Sequence, residues 1–230
     1  MLRLIGFFVV VLLALQVLRH VPVIGRFFDI PILGFWGAAI LVSAGASKLA
    51  ALAVDRRRFA RQRRALTNVE TPHNQGKLGT LLLASGRMRA AIEPLQRAAA
   101  GEPDSATWAY RLGSALLGAG RAADAVPPLA RAAELDEEHA YGAVLLRLAE
   151  ALTKNARGDE ALTVLERFDK NHGESPESAF RRADALRVLG RKSEARASYR
   201  RVRELHRSAV RYQRTTTRSF ALRALLWSYV

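Results

Sequence analysis

LGTLLLASGRMRAAIEPLQRAAAGEP, residues 78–103, is followed by LGSALLGAGRAADAVPPLARAAELDE, residues 112–137. The second stretch repeats the first at a distance of 34 residues: Leu78, Gly79, Leu82, Gly86, Ala91, Leu95 and Ala98 recur as Leu112, Gly113, Leu116, Gly120, Ala125, Leu129 and Ala132. Two looser copies follow. Leu148, Ala149, Leu152, Ala156, Ala161, Leu165 and Phe168 lie 36 residues further on, and Ala183, Leu186, Gly190, Ala195, Tyr199 and Val202 another 34. A fixed period of this length marks stacked supersecondary units, each too small to bury its own apolar face.

Each unit reads as two antiparallel helices. The small residues Gly79, Gly113, Ala149 and Ala183 stand where the helices touch, facing Ala91, Ala125, Ala161 and Ala195. Gly86, Gly120 and Gly190 suit the left-handed residue that stops a first helix. Thr71-Pro72 and Ser175-Pro176 each place a capping side chain before a proline suited to the first helical position. Pro94 and Pro127-Pro128 are expected in or near the first turn of second helices, where a missing amide is tolerated.

The Leu-Gly pair, the glycine seven residues on, the alanine five beyond it and Pro103 at the end of the first unit resemble the tetratricopeptide repeat family over about residues 72–206. The chain departs from that pattern in having no tryptophan four residues before Gly79 and a closing proline in the first unit only. The resemblance implies an all-α fold: a right-handed superhelical solenoid of about four helix pairs. It also implies a scaffold or adaptor that takes a protein or peptide partner on its concave face. By the repeat register the first helices present Thr80 and Leu83, then Tyr110, Ser114 and Leu117, then Glu150 and Thr153, then Phe180, Asp184 and Arg187. This apolar and aromatic floor with a few polar groups suits a peptide or helix. Some family members hold a terminal carboxylate in a lysine and asparagine clamp, but the equivalent sites here are Gly76, Thr80, Tyr110 and Ser114.

Outward from the repeats the chain changes character. Leu4 to Leu18 reads LIGFFVVVLLALQVL, and Ile30 to Val54 is uncharged until Lys48. Residues 1–54 are therefore read as a transmembrane hairpin with spans at about 2–18 and 30–54. A cleaved signal peptide is the alternative for the first run, although LQVLRHVPV offers no Ala-x-Ala site. Arg56, Arg57, Arg58, Arg61, Arg63 and Arg64 crowd the juxtamembrane segment 55–71, against Arg19 and Arg26 in the connector, which places the solenoid in the cytoplasm at a bacterial inner membrane. Ala39, Ser43 and Ser47 recur every four residues, a face that lets the second span pack on the first or on another copy as a homo-oligomer.

The 230 residues carry a formal charge of +15, spread as +7 over 1–70, −2 over 71–175 and +10 over 176–230. Arg196, Arg200, Arg203, Arg207, Arg211, Arg214 and Arg218 are spaced three or four apart and read as one face of a long amphipathic helix, with 207–230 capping the solenoid. Arg203, Arg207, Arg211, Arg214 and Arg218 are expected to dock against anionic lipid, with nucleic acid a less favoured partner that charge alone supports.

No cysteine is present, which excludes disulfides, thiolate metal sites and a cysteine nucleophile. His20, His73, His139, His172 and His206 are scattered without metal-ligand spacing, and no hydrolase, kinase or phosphate-loop signature occurs. The reading is of a chain with no catalytic residues, no metal and no cofactor.

Overall fold

The computed structural model describes residues 43, 45–46, 59–62, 65–66 and 71–227, the side chains of 211–213 excepted. The chain divides into two units between Gln62 and Arg63, and the helices described below belong to the second. Among the described residues no helix is long and apolar enough to cross a membrane. The expected spans at 2–18 and 30–54 lie outside the described residues, Ser43, Gly45 and Ala46 apart.

The second unit runs as α1 Pro72–Ala84, α2 Met88–Gly101, α3 Ala106–Gly118, α4 Ala122–Leu135, α5 Ala143–Lys154, α6 Gly158–His172, α7 Pro176–Val188, α8 Lys192–Ser208 and α9 Arg211–Trp227. Each helix packs on the next in sequence, so the units stack in one direction. Successive first helices also touch: α1 meets α3, α3 meets α5 and α5 meets α7. The first helices therefore line the tighter, inner face.

The period has a direct packing cause. A Cβ placed on Gly79 would lie 2.4 Å from Leu95 Cγ, and one on Gly113 would lie 2.4 Å from Leu129 Cγ. Only a missing side chain lets these helices close. Ala91, Leu95, Ala98, Ala125, Leu129, Ala132, Ala161 and Leu165 are fully buried along the matching seam of the second helices. The units are joined by a different residue, Trp108. Its indole lies 2.7 Å from a Cβ built on Gly76, so α3 seats an aromatic side chain directly on the backbone of α1.

The first helices end alike. Arg87, Arg121, Arg157 and Arg191 each donate a backbone N–H of 2.9 Å to the carbonyl five residues back, on Leu82, Leu116, Leu152 and Leu186. This closure needs one left-handed residue. Gly86, Gly120 and Gly190 supply it at φ of 72°, 83° and 75°, while the third unit forces Ala156 to φ 59°. After that turn the chain enters the second helix at once. Pro94, Pro127 and Pro128, expected in or near a first turn, consequently sit inside α2 and α4. The carbonyls they leave unpaired belong to the exposed starts of these helices, where water satisfies them.

The two residues by which the third period exceeds the others fall between α4 and α5, where Ala140, Tyr141 and Gly142 are all left-handed. The N-caps hold as expected at two starts. Thr71 Oγ1 accepts from the Asn74 amide at 3.2 Å, and Ser175 and Ser178 form a reciprocal capping box at 3.0 Å each way.

The expected single helix through the arginine stripe is two helices. Ala209 is extended at φ −63° and ψ 146°, ending α8. Ser208 Oγ donates to the Leu205 carbonyl at 3.1 Å, a local bond that competes with helix continuation. Arg214, counted on the stripe, turns back: its Nε donates to the Ala209 carbonyl at 2.8 Å and its Nη2 to the Arg207 carbonyl at 2.6 Å. Its guanidinium thus caps the C-terminus of α8, where a cation is favoured. Beyond the break, Phe220 and the fully buried Ala224 pack α9 on the last pair through Phe180, Tyr199 and Val202.

Candidate binding site

The inner face is built from one stripe on each first helix. Counting from the small contact residue (Gly79, Gly113, Ala149, Ala183), the stripe comprises the positions three before, two before, one after and four after it. These positions lie within one helical face because three and four residues each make about one turn.

The residues expected to meet a partner separate into two groups. Leu117 and Phe180 are each only 4% exposed, so both belong to the core and offer nothing to a ligand. Phe180 fails because α8 and α9 cover it: its ring stands 5.8 Å from that of Tyr199 on α8 and 5.6 Å from that of Phe220 on α9. Tyr110, Ser114, Glu150, Asp184 and Arg187 are brought together along the inner face. Tyr110 is half-buried with its ring edge-on to His139 at 5.3 Å. Asp184 Oδ1 accepts from the Tyr199 hydroxyl at 2.7 Å. Burial and then that bond to an anion push the Tyr199 phenol well up, so it stays a donor. Arg187 stacks its guanidinium 4.9 Å from the centre of the Trp227 ring, closing the far end of the face.

Glu150 is the hub of the face. Its carboxylate receives Arg181 Nη1 at 2.8 Å, Lys154 Nζ at 2.9 Å and Arg147 Nη1 at 3.0 Å. Burial opposes its charge, but Arg181 foremost, then Lys154 and Arg147, hold the carboxyl below its ordinary range. Arg181 is itself shielded and also pairs with Glu177 at 3.0 Å.

A series missed in the sequence stands two residues before the contact position: Lys77, Arg111, Arg147 and Arg181, one cation per unit at intervals of 34, 36 and 34. The period that revealed the small residues also contains this series. Arg111 stacks on Trp108, 5.5 Å from the ring centre, and hydrogen-bonds Thr80 Oγ1 across the seam between units. Burial lowers its pKa, and among the described residues no carboxylate pairs with it.

The arginines expected at an anionic surface are divided between α8 and α9 and are not carried on one helix. Arg207 and Arg218 are exposed, Arg203 is half-buried on α8, Arg214 caps the break, and the Arg211 side chain lies outside the described residues. The apolar tail leaves Leu222, Leu226 and Trp227 exposed on α9. Among the described residues no group of three or more His, Asp or Glu stands where it would hold a metal ion.

Solved structures superpose on this chain as a fold. MamA of MSR-1 is 24% identical with a TM-score of 0.58, covering 67% of this chain and 91% of its own. MamA of Desulfovibrio magneticus RS-1, residues 41 to the end, is 16% identical with a TM-score of 0.53, covering 69% of this chain and 92% of its own. A kinesin light chain of Podosopora anserina with nearly identical TPR-like repeats is 18% identical with a TM-score of 0.54, covering 64% and 83%. No curated protein matches the chain. The family model described as tetratricopeptide repeat matches residues 77–141 and 146–210, more than half of the sequence, and ends at the break between α8 and α9. The chain belongs to the tetratricopeptide repeat family.

Proposed function

We propose that this chain is a membrane-anchored scaffold that holds a protein or peptide partner along the inner face of its first helices. The observation that carries the reading is the concentration of half-buried polar and aromatic side chains on that face. Tyr110, Arg111, Ser114, Glu150, Arg181 and Asp184 recur at stacked positions of successive units, so an extended or helical segment lying along the stack meets one set per unit. The apolar runs before residue 55 supply the anchor, and the Arg56–Arg64 cluster puts the solenoid on the cytoplasmic side of a bacterial inner membrane. Tethering then raises the partner's local concentration at the membrane.

The test is crosslinking of the full chain in native membranes, with mass spectrometry of what is captured, beside a Tyr110→Ala/Arg187→Ala variant. Leu117 and Phe180 are left intact because both hold the core. A discrete protein captured by the parent chain and lost in a variant that still melts cooperatively supports the reading. Capture that is unchanged in the variant removes the partner from this face.

A second reading, docking on anionic lipid through the C-terminal arginines, is favoured by α9, which carries Arg211, Arg214, Arg218 and Arg223 without one carboxylate beside exposed Leu222 and Leu226. Its test is sedimentation of the full chain with phosphatidylglycerol-rich vesicles. Neutralising Arg207, Arg211 and Arg218 should release it if the stripe is the contact.

A further inference from the structure

Three of the four cations, Arg111, Arg147 and Arg181, stand at junctions between units as rungs, and one rung is open. In the first, Arg111 of α3 reaches back to Thr80 of α1. In the third, Arg181 of α7 reaches back to Glu150 of α5 at 2.8 Å. Both join the residue two before the contact position to the residue one after it in the preceding unit. By the same register Arg147 of α5 belongs with Ser114 of α3. Instead Arg147 folds onto Glu150 of its own helix at 3.0 Å. Ser114 Oγ is left buried without a hydrogen-bond partner.

That orphan differs from the threonine hydroxyls of the same stripe. Thr80 and Thr153 on the same stripe both return their hydroxyl to the carbonyl four residues back, at 2.8 Å each. A buried polar group without a partner is destabilising, so the site invites an acceptor or donor from outside the chain. Charge says which. Arg111 stands one turn before Ser114 on the same helix and pairs with no carboxylate among the described residues. Arg147 lies on the adjoining helix, 44% exposed and held by one charged partner. Farther along the face Glu150, Glu177 and Asp184 already neutralise Arg181 and Arg187. Among the described residues Arg111 is therefore without a paired anion, and Arg147 shares its only one, Glu150, with Lys154 and Arg181.

We propose that the open rung is a subsite for a carboxylate side chain of an acidic peptide partner, held by the guanidinium groups of Arg111 and Arg147 and by the Ser114 hydroxyl. The proposal rests on the reading that a partner lies along the inner face. Guanidinium–carboxylate bonds are charge-assisted and among the strongest available to a surface groove. The hydroxyl supplies the third donor and is satisfied in the same step. Arg147 has to leave Glu150 for the ligand, and Glu150 keeps Arg181 and Lys154 when it does.

The experiment measures fluorescence anisotropy of a labelled, C-terminally amidated decapeptide of alternating Glu and Ala, titrated with the full chain in non-ionic detergent. Its Gln and Ala counterpart serves as the neutral probe. The Glu peptide should bind and the Gln peptide should not over the same range. Arg111→Gln and Arg147→Gln should each weaken binding about tenfold, or about 1.4 kcal/mol. Arg191→Gln, at an exposed pair with Glu194 in the turn before α8, should leave it unchanged. Ser114→Ala should weaken binding several-fold while raising the melting temperature, a combination that misfolding does not produce. Equal binding of the two peptides, no binding of either, or equal weakening by Arg191→Gln overturns the subsite. If the subsite falls while crosslinking of a partner is still abolished by the Tyr110 and Arg187 changes, the groove reading survives without it. If both fail, the partner lies elsewhere on the chain.

Discussion

Glu150→Gln isolates the contribution of the hub, and its size follows from three contacts. Arg147 and Lys154 are 44% and 53% exposed, so water takes over their half of the interaction when the charge disappears. Arg181 differs. Its side chain is 12% exposed, its Nε is already without a partner, and the carboxylate it loses is 13% exposed. Losing one charge-assisted bond at such a site costs about 1.5–3 kcal/mol, moderated by the remaining pair with Glu177. A loss near 2 kcal/mol is expected, about 4–8 °C in melting temperature for a unit of this size. The pH dependence supplies an internal control. The folded pKa of Glu150 lies below its unfolded value of about 4.3. Its stabilisation is therefore complete above that value and disappears as pH falls through the folded pKa. Thermal melts followed by circular dichroism at pH 7 and again at successively lower pH should show the two curves converging in acid. A drop below about 1 °C at neutral pH would refute the reasoning, as would an equal drop for Lys154→Gln, which touches only the exposed side of the hub.

Gly113→Ala tests the packing that sets the repeat. The new Cβ falls 2.4 Å from the branch carbon of fully buried Leu129, so the strain of about 1–3 kcal/mol should exceed the helix-propensity gain of about 1 kcal/mol. Urea titration should show net destabilisation, and a stabilised variant would mean the helices are not in contact there. Ser175→Ala removes one arm of the capping box at the start of α7 and should cost about 1 kcal/mol in the same titration. Restoring the cap with Asp at that position should recover most of it.

The repeat was legible because its signal is steric. A helix pair that closes to within a Cβ of Leu95 or Leu129 admits only glycine at the contact, and this demand recurs at Gly79 and Gly113. Thr71-Pro72 and Ser175-Pro176 carried their own chemistry as start signals, and the left-handed stops were readable at Gly86, Gly120 and Gly190. The fourth stop was not, because Ala156 takes the same conformation without the glycine that advertises it. Phe180 looked like a groove residue because periodicity reports which face a side chain shares. It does not report whether a later helix covers that face, and α9 does so through Phe220. The break at Ala209 escaped notice for a related reason. Arginines continue at helical spacing through it with no glycine or proline, and the interruption comes from Ser208 and the capping guanidinium of Arg214. The rung cations were hidden by abundance. With 36 lysines and arginines in the chain, Arg111, Arg147 and Arg181 read as ordinary solvated charge until their reach between units was seen.

What separates binding face from core in this solenoid is a difference in tolerance along one helix stripe. The contact position accepts only glycine or alanine, because a neighbouring helix stands within one carbon radius. The residue after it is polar in every unit, as Thr80, Ser114, Glu150 and Asp184, and the residue two before it is a cation in every unit. The pairing of these two positions across units does structural service at both ends of the stack, where Arg111 and Arg181 stitch neighbouring helices. Structural service in two rungs makes the exception in the third informative. Arg147 carries the same residue type at the same register, yet it bonds within its own helix and leaves a buried hydroxyl unmatched. Nothing in stacking alone requires that arrangement, since Arg147 turned toward Ser114 would complete the ladder. The cause is Glu150, the one carboxylate at the residue-after position that stands within reach of three cations. By drawing Arg147 away it keeps the middle of the face unfilled, and an acidic side chain arriving from a partner competes with Glu150 for the same guanidinium.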